Sequence, residues 1–135
     1  AKMCLVDHNT VIQSGNMITA YGGATAGFTF TNNIAPSNTY GIKGDGTSSG
    51  NSTLGTYFPA AVLKRNVIVI SNSSSYPGNN YYPSSLSDIG FLDLTNLNLR
   101  LSPTSPFIGA GTSGSAVGAN IDRINREVGG ISGPN

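Results

Sequence analysis

Tryptophan is absent from the 135 residues, cysteine and histidine occur once each, and charged residues make up only 10%. Each shortage excludes something. One cysteine, Cys4, cannot close an internal disulfide, and between Met3 and Leu5 on a strand-like run it is expected to behave as a small buried hydrophobe. The seven cations, Lys2, Lys43, Lys64, Arg65, Arg100, Arg123 and Arg126, are scattered, so there is no basic stripe for nucleic acid. The six acids are Asp7, Asp45, Asp88, Asp93, Asp122 and Glu127. They neither cluster nor recur at one repeat position, which makes a poor metal site for an ion such as calcium that takes six to eight oxygens. No apolar stretch approaches the roughly 20 residues of a membrane span.

What the chain has instead is glycine, 18 of them, with Ser, Thr and Asn filling much of the remainder. It also has a phrase that occurs three times. Val6-Asp7-His8-Asn9-Thr10-Val11 returns as Phe30-Thr31-Asn32-Asn33-Ile34-Ala35 and as Leu63-Lys64-Arg65-Asn66-Val67-Ile68. An apolar residue leads, two polar residues follow, and an asparagine precedes a resumed strand-like run. Asn9 and Asn33 are 24 residues apart, and the same offset aligns Ile18 with Ile42, Ala20 with Gly44 and Gly22 with Gly46. Asn33 and Asn66 are 33 apart. Repeats of this length, rich in β-branched residues, predict an all-β chain built as a parallel β-solenoid. Asn9, Asn33 and Asn66 are then expected to form a ladder in which side-chain amides satisfy backbone groups left unpaired at tight corners.

Residues 1–101 are assigned to about three to four coils and 102–135 to a C-terminal cap and tail. Two polar excursions interrupt the coils, 47–60 and 71–87, the first expected to be a mobile surface loop. Ile89–Leu94 and Leu97–Leu101 are expected to form the last coil. The spacing of Ile121, Ile124 and Val128, with Asp122 and Arg126 at i, i+4, predicts a short helix that packs on the exposed end of the coils. Asn51-Ser52-Thr53 and Asn72-Ser73-Ser74 match the glycosylation tripeptide, a weak signal.

Leu99-Arg100-Leu101-Ser102-Pro103-Thr104-Ser105-Pro106-Phe107, then Gly109-Ala110-Gly111-Thr112 and Val117-Gly118-Ala119-Asn120-Ile121-Asp122, resembles the closing signature of bacterial right-handed parallel β-helix proteins of the pectate-lyase-like kind. One departure stands out. Where that signature carries an acid before Ile-Gly-Ala, this chain has Ser115-Ala116-Val117. The resemblance implies a right-handed parallel β-helix, an extracellular or cell-surface location, and further coils on the N-terminal side. Without them the Met3–Val6 strand is an open edge, expected to be covered by N-terminal coils of the same protein or by another chain.

Function is legible only as two alternatives. One is a structural or glycan-binding surface module, with Tyr57, Tyr76, Tyr81 and Tyr82 as candidates for a platform under sugar rings, since tyrosine is flat and hydrogen-bonding. The same rings serve equally well as covers for strand edges. The other is the tail of a polysaccharide lyase or glycoside hydrolase with its catalytic coils elsewhere, and calcium enters only with that alternative. His8 stands beside Asp7, but neighbours on a strand point to opposite faces, so the two meet only where a corner bends them together. Lys64 and Arg65, at the matching positions of the third phrase, are read as a solvated turn. Asp45 and Asp88 are a candidate carboxylate pair that nothing in the sequence fixes.

Overall fold

A computed structural model describes residues 3–132 of the chain. Both intervals of the repeated phrase reappear in it as pairing registers. Strand β1 (Cys4–Asp7) runs parallel to β3 (Phe28–Thr31) with Val6 opposite Phe30, and β3 runs parallel to β6 (Val62–Lys64) with Phe30 opposite Leu63. Beside this three-stranded sheet, β2 (Ile18–Ala20) pairs with β5 (Ile42–Gly44), placing Ile18 opposite Ile42. β4 (Ile34–Pro36) pairs with β7 (Val67–Val69).

The all-β right-handed parallel β-helix is nevertheless not what the chain forms. Among the described residues the strands are three or four residues long and lie in four small separate sheets, no closed coil unites them, and two α-helices make the fold mixed α/β. Local chemistry explains each interruption. β1, β3 and β6 all end at a residue in the left-handed region: His8 (φ 54°), Asn32 (φ 58°) and Arg65 (φ 59°). That conformation turns the chain away from the ladder. The β2–β5 sheet stops at two strands because Tyr76 fills the next place. Its hydroxyl accepts the Ile42 N–H at 3.1 Å and donates to the Tyr40 carbonyl at 3.2 Å, doing the work of a third strand.

Three further expectations are corrected. The 47–60 excursion is not a mobile loop but contains helix α1 (Asn51–Tyr57). A seven-residue helix needs tertiary support, and Thr53 and Leu54 supply it by burial, with Thr53 Oγ1 accepting the Gly44 N–H at 2.9 Å and donating to Ser48 O at 2.8 Å. The final coil is an antiparallel hairpin of β8 (Phe91–Asp93) and β9 (Asn98–Leu101). The four residues between them suffice for a turn, whereas a parallel crossover takes a dozen or more. Cys4 is exposed rather than buried, because β1 has a neighbour on one side only. The helix at Ile121 does form, as α2 (Ile121–Ser132), but Ile124 and Val128 are exposed, and its tie to the body is the Asp122–Arg100 ion pair at 2.8 Å.

Two apolar clusters hold the pieces together. Phe28, Phe30, Ile42, Leu54, Leu63, Ile68 and Tyr76 form one; Ile34, Val67, Ile89, Phe107 and Val117 form the other. The second joins β4 and β7 to the segment after Phe107, which brings the last third of the chain against the first repeated corner.

Candidate functional site

The repeated asparagines meet, and a fourth joins them. Asn33 donates through its backbone N–H and its side-chain amide to Asn66 Oδ1, and Asn66 does the same to Asn80 Oδ1. Asn9 donates in the same two ways to Asn33 Oδ1, each at 2.9 Å. The remaining amide proton of each asparagine goes to a carbonyl three residues before the previous one: Asn33 to Val6 O, Asn66 to Phe30 O, Asn80 to Leu63 O. Every link therefore gives two bonds along the ladder and one back to the strand before it. Asn66 and Asn33 are almost wholly buried. Asn80 escaped sequence reasoning because its phrase, Pro77-Gly78-Asn79-Asn80, lacks the strand that marks the other three.

The ladder is open at Asn9. Asn9 Oδ1 has no donor among the described residues, and its amide turns back to its own Asp7 carbonyl at 3.1 Å instead of reaching a preceding strand. Around it, a cavity of about 310 Å³ is lined by Val6, Asn9, Val11, Gln13, Met17 and neighbours. Gln13 Oε1 is buried there with no hydrogen-bond partner among the described residues, an uncommon state for a buried acceptor. Met3 (84% exposed) and Leu5 (65%) continue the same edge as bare apolar side chains.

At the same first corner, the left-handed backbone at His8 accompanies a ring turned to the side of Asp7. Asp7 Oδ2 and His8 Nδ1 are 2.8 Å apart, and His8 Nε2 lies 3.1 Å from Ser115 Oγ. Asp7 Oδ1 accepts from Thr31 Oγ1 at 2.6 Å and Asn32 Nδ2 at 2.8 Å. Burial pushes the Asp7 carboxyl up, but the bonds from Thr31, His8 and Asn32 outweigh it and hold the group below its ordinary value. His8 and Ser115 sit at the edge of a cleft of about 580 Å³ whose walls come largely from Leu101 to Asp122. Ser115 lies in the Ser115-Ala116-Val117 stretch where the chain departs from the closing signature, but no local pattern links residues 107 positions apart.

The four candidate tyrosines pack within the chain. Tyr76 is buried with its ring edge-on to Tyr82 at 6.1 Å, Tyr81 packs on Phe107 at 5.5 Å, and Tyr57 covers Gly44. Their hydroxyls are spent on backbone carbonyls, those of Tyr40, Pro77, Ala110 and Asp45. Burial drives the Tyr82 phenol up to about 12, with Asn80 pulling the other way and Tyr76 adding to the rise. Of the pair Lys64 and Arg65, Arg65 donates to Tyr81 Oη at 2.8 Å. Asp45 and Asp88 share no hydrogen bond: Asp88 accepts from Ser84, and Asp45 lies beyond β5. Among the described residues no group of three or more His, Cys, Asp or Glu is placed to hold a metal ion. Compared with known proteins, the chain matches no family model, no curated protein and no solved structure.

Proposed function

We propose that the chain is a structural recognition module that takes an extended polypeptide strand onto the Met3–Val6 edge. The observation that carries the reading is the unfinished ladder: Asn9 Oδ1 lacks the two donors that Asn33, Asn66 and Asn80 each receive. The occupant is a segment of the repeated type, an apolar residue followed by two polar residues and an asparagine, lying parallel to β1. Its asparagine supplies N–H and amide donors to Asn9 Oδ1. Its apolar lead residue offers the carbonyl that Asn9 Nδ2 now lacks. Its apolar side chains cover Leu5 and enter the cavity beside Gln13. Strand addition of this kind draws affinity from backbone bonds and specificity from alternate side chains.

Cys4 gives a direct test, because it is exposed on the receiving strand. In the β1–β3 register, Cys4 faces Phe28, five residues before Asn33. A synthetic peptide with cysteine five residues before its asparagine, held with the intact chain in a glutathione redox buffer, is expected to form a mixed disulfide with Cys4. The same peptide with alanine in place of asparagine is expected to be trapped far more slowly. Equal trapping of the two peptides overturns the reading, and a Cys4–Cys4 dimer that excludes the peptide assigns the edge to a second copy of the chain.

A further inference from the structure

We propose that Asp7, His8 and Ser115 form a hydrolytic site in which Ser115 Oγ is the nucleophile, acting on small esters with apolar substituents. The proposal does not rest on strand docking, since it is read from contacts within the chain and the cleft beside them.

Order and spacing are those of an acid–base–nucleophile relay, with 2.8 Å from Asp7 Oδ2 to His8 Nδ1 and 3.1 Å from His8 Nε2 to Ser115 Oγ. Nucleophile, base and orienting group within hydrogen-bond reach of one another are the signature of such sites. Thr31 and Asn32 pin the Asp7 carboxylate and keep it ionised. The carboxylate then fixes the proton of neutral His8 on Nδ1, leaving Nε2 as an acceptor aimed at the serine. Gly111 makes room for this: a Cβ there would lie 2.6 Å from Ser115 Oγ.

The surroundings distinguish a site from a packing contact. His8 and Ser115 border the cleft of about 580 Å³, whose walls include Leu92, Leu101, Pro103, Ile108 and Ile121. An apolar acyl or alkoxy group fits that lining. Ala116, next after the serine, is an exposed residue, and its amide has no hydrogen-bond acceptor among the described residues. An amide immediately after the nucleophile is where acyl-transfer sites commonly draw a donor for the developing oxyanion. The serine proton has two acceptors, His8 Nε2 at 3.1 Å and Thr112 O at 2.8 Å. Rotation about the C–O bond alone moves it from one to the other.

The steps balance with water as the only co-reactant. Ser115 Oγ bonds to the ester carbonyl carbon, its proton passes to His8 Nε2, and the carbonyl pair becomes an oxyanion facing the Ala116 N–H. Collapse breaks the bond to the alkoxy oxygen, which leaves as the alcohol with the proton from His8. Water then adds to the acyl-serine, giving a proton to His8, and collapse releases the carboxylic acid and returns that proton to Ser115.

The probe is an alkyl fluorophosphonate, which captures activated serines, applied to the intact chain and read by intact mass and peptide mapping. One adduct on Ser115 is expected, absent in Ser115→Ala. His8→Asn, in which asparagine tolerates the left-handed backbone but is too short to reach Ser115, is expected to slow labelling by about 100-fold or more. Near-ultraviolet circular dichroism reports whether each variant is folded. Folded wild-type protein that stays unlabelled at Ser115 overturns the proposal whatever the variants do, and so does labelling of folded His8→Asn at the wild-type rate.

Discussion

Truncating the ladder asparagines one at a time should cost stability in a fixed order, Asn66 most, Asn33 next and Asn9 least. In Asn66→Ala the Asn33 N–H and the Phe30 carbonyl lose bonds of 2.9 and 2.8 Å where water does not reach. Those two buried backbone bonds, lost together with the side-chain amide bonds to Asn33 and Asn80, put the loss at about 3–4 kcal/mol. In Asn33→Ala the groups left behind belong to Val6 and Asn9, at the half-open end where solvent replaces part of what is lost. That lowers the figure to about 1–3 kcal/mol. Asn9→Ala removes an exposed side chain whose oxygen has no partner, so a loss below about 1 kcal/mol is expected. For a chain of this size each kcal/mol moves the thermal midpoint by about 3–5 °C, so Asn66→Ala should fall by about 10–15 °C. Urea unfolding of the three variants at neutral pH, followed by circular dichroism, gives the order directly. Asn33→Ala and Asn66→Ala combined should cost less than the two losses added, because the bond from the Asn33 amide to Asn66 Oδ1 is lost in both. Three equal losses, or a loss at Asn9 as large as at Asn66, would refute the reasoning.

Gly118 has φ 88°, and a Cβ there would lie 2.5 Å from Thr10 Oγ1 and 2.6 Å from Ile34 Cδ1. Gly118→Ala should therefore destabilise by about 3 kcal/mol in the same unfolding assay, through backbone strain and overpacking together. Asp7 has a depressed carboxyl in the folded chain relative to its ordinary value of 3.8. Its contribution to stability is complete above that ordinary value and is lost as pH falls through the lower folded value. Asp7→Asn should flatten the acid limb of a plot of unfolding midpoint against pH. At the alkaline end, burial raises Tyr76 above 10 and Tyr82 to about 12. Both favour the folded state below pH 10, and that stability is lost as pH rises through the folded values. An absorbance titration of tyrosinate should accordingly show a late component that Tyr82→Phe diminishes.

The sequence by itself determined the parallel registers and three of the four ladder positions. A strand pairs in parallel with its own repeat when apolar leads and corner asparagines recur at one spacing, so offsets of 24 and 33 could be read from residue types alone. The short helix at Ile121 was legible for the same reason, a local period. Tertiary structure decided whatever depends on partners distant in sequence. Tyr76 ends the β2–β5 sheet from 34 residues away, a relation with no periodic trace. The 47–60 segment contains a helix because Thr53 and Leu54 are buried against the body, although its composition reads as loop. The tyrosines, alike in sequence, differ in their surroundings because each hydroxyl is claimed by a different backbone carbonyl. The Asp7–His8–Ser115 relay depends most fully on the fold. A left-handed corner joins two neighbours that an extended strand would hold apart, and the packing of Phe107 and Val117 against Ile34 and Val67 delivers the serine to them.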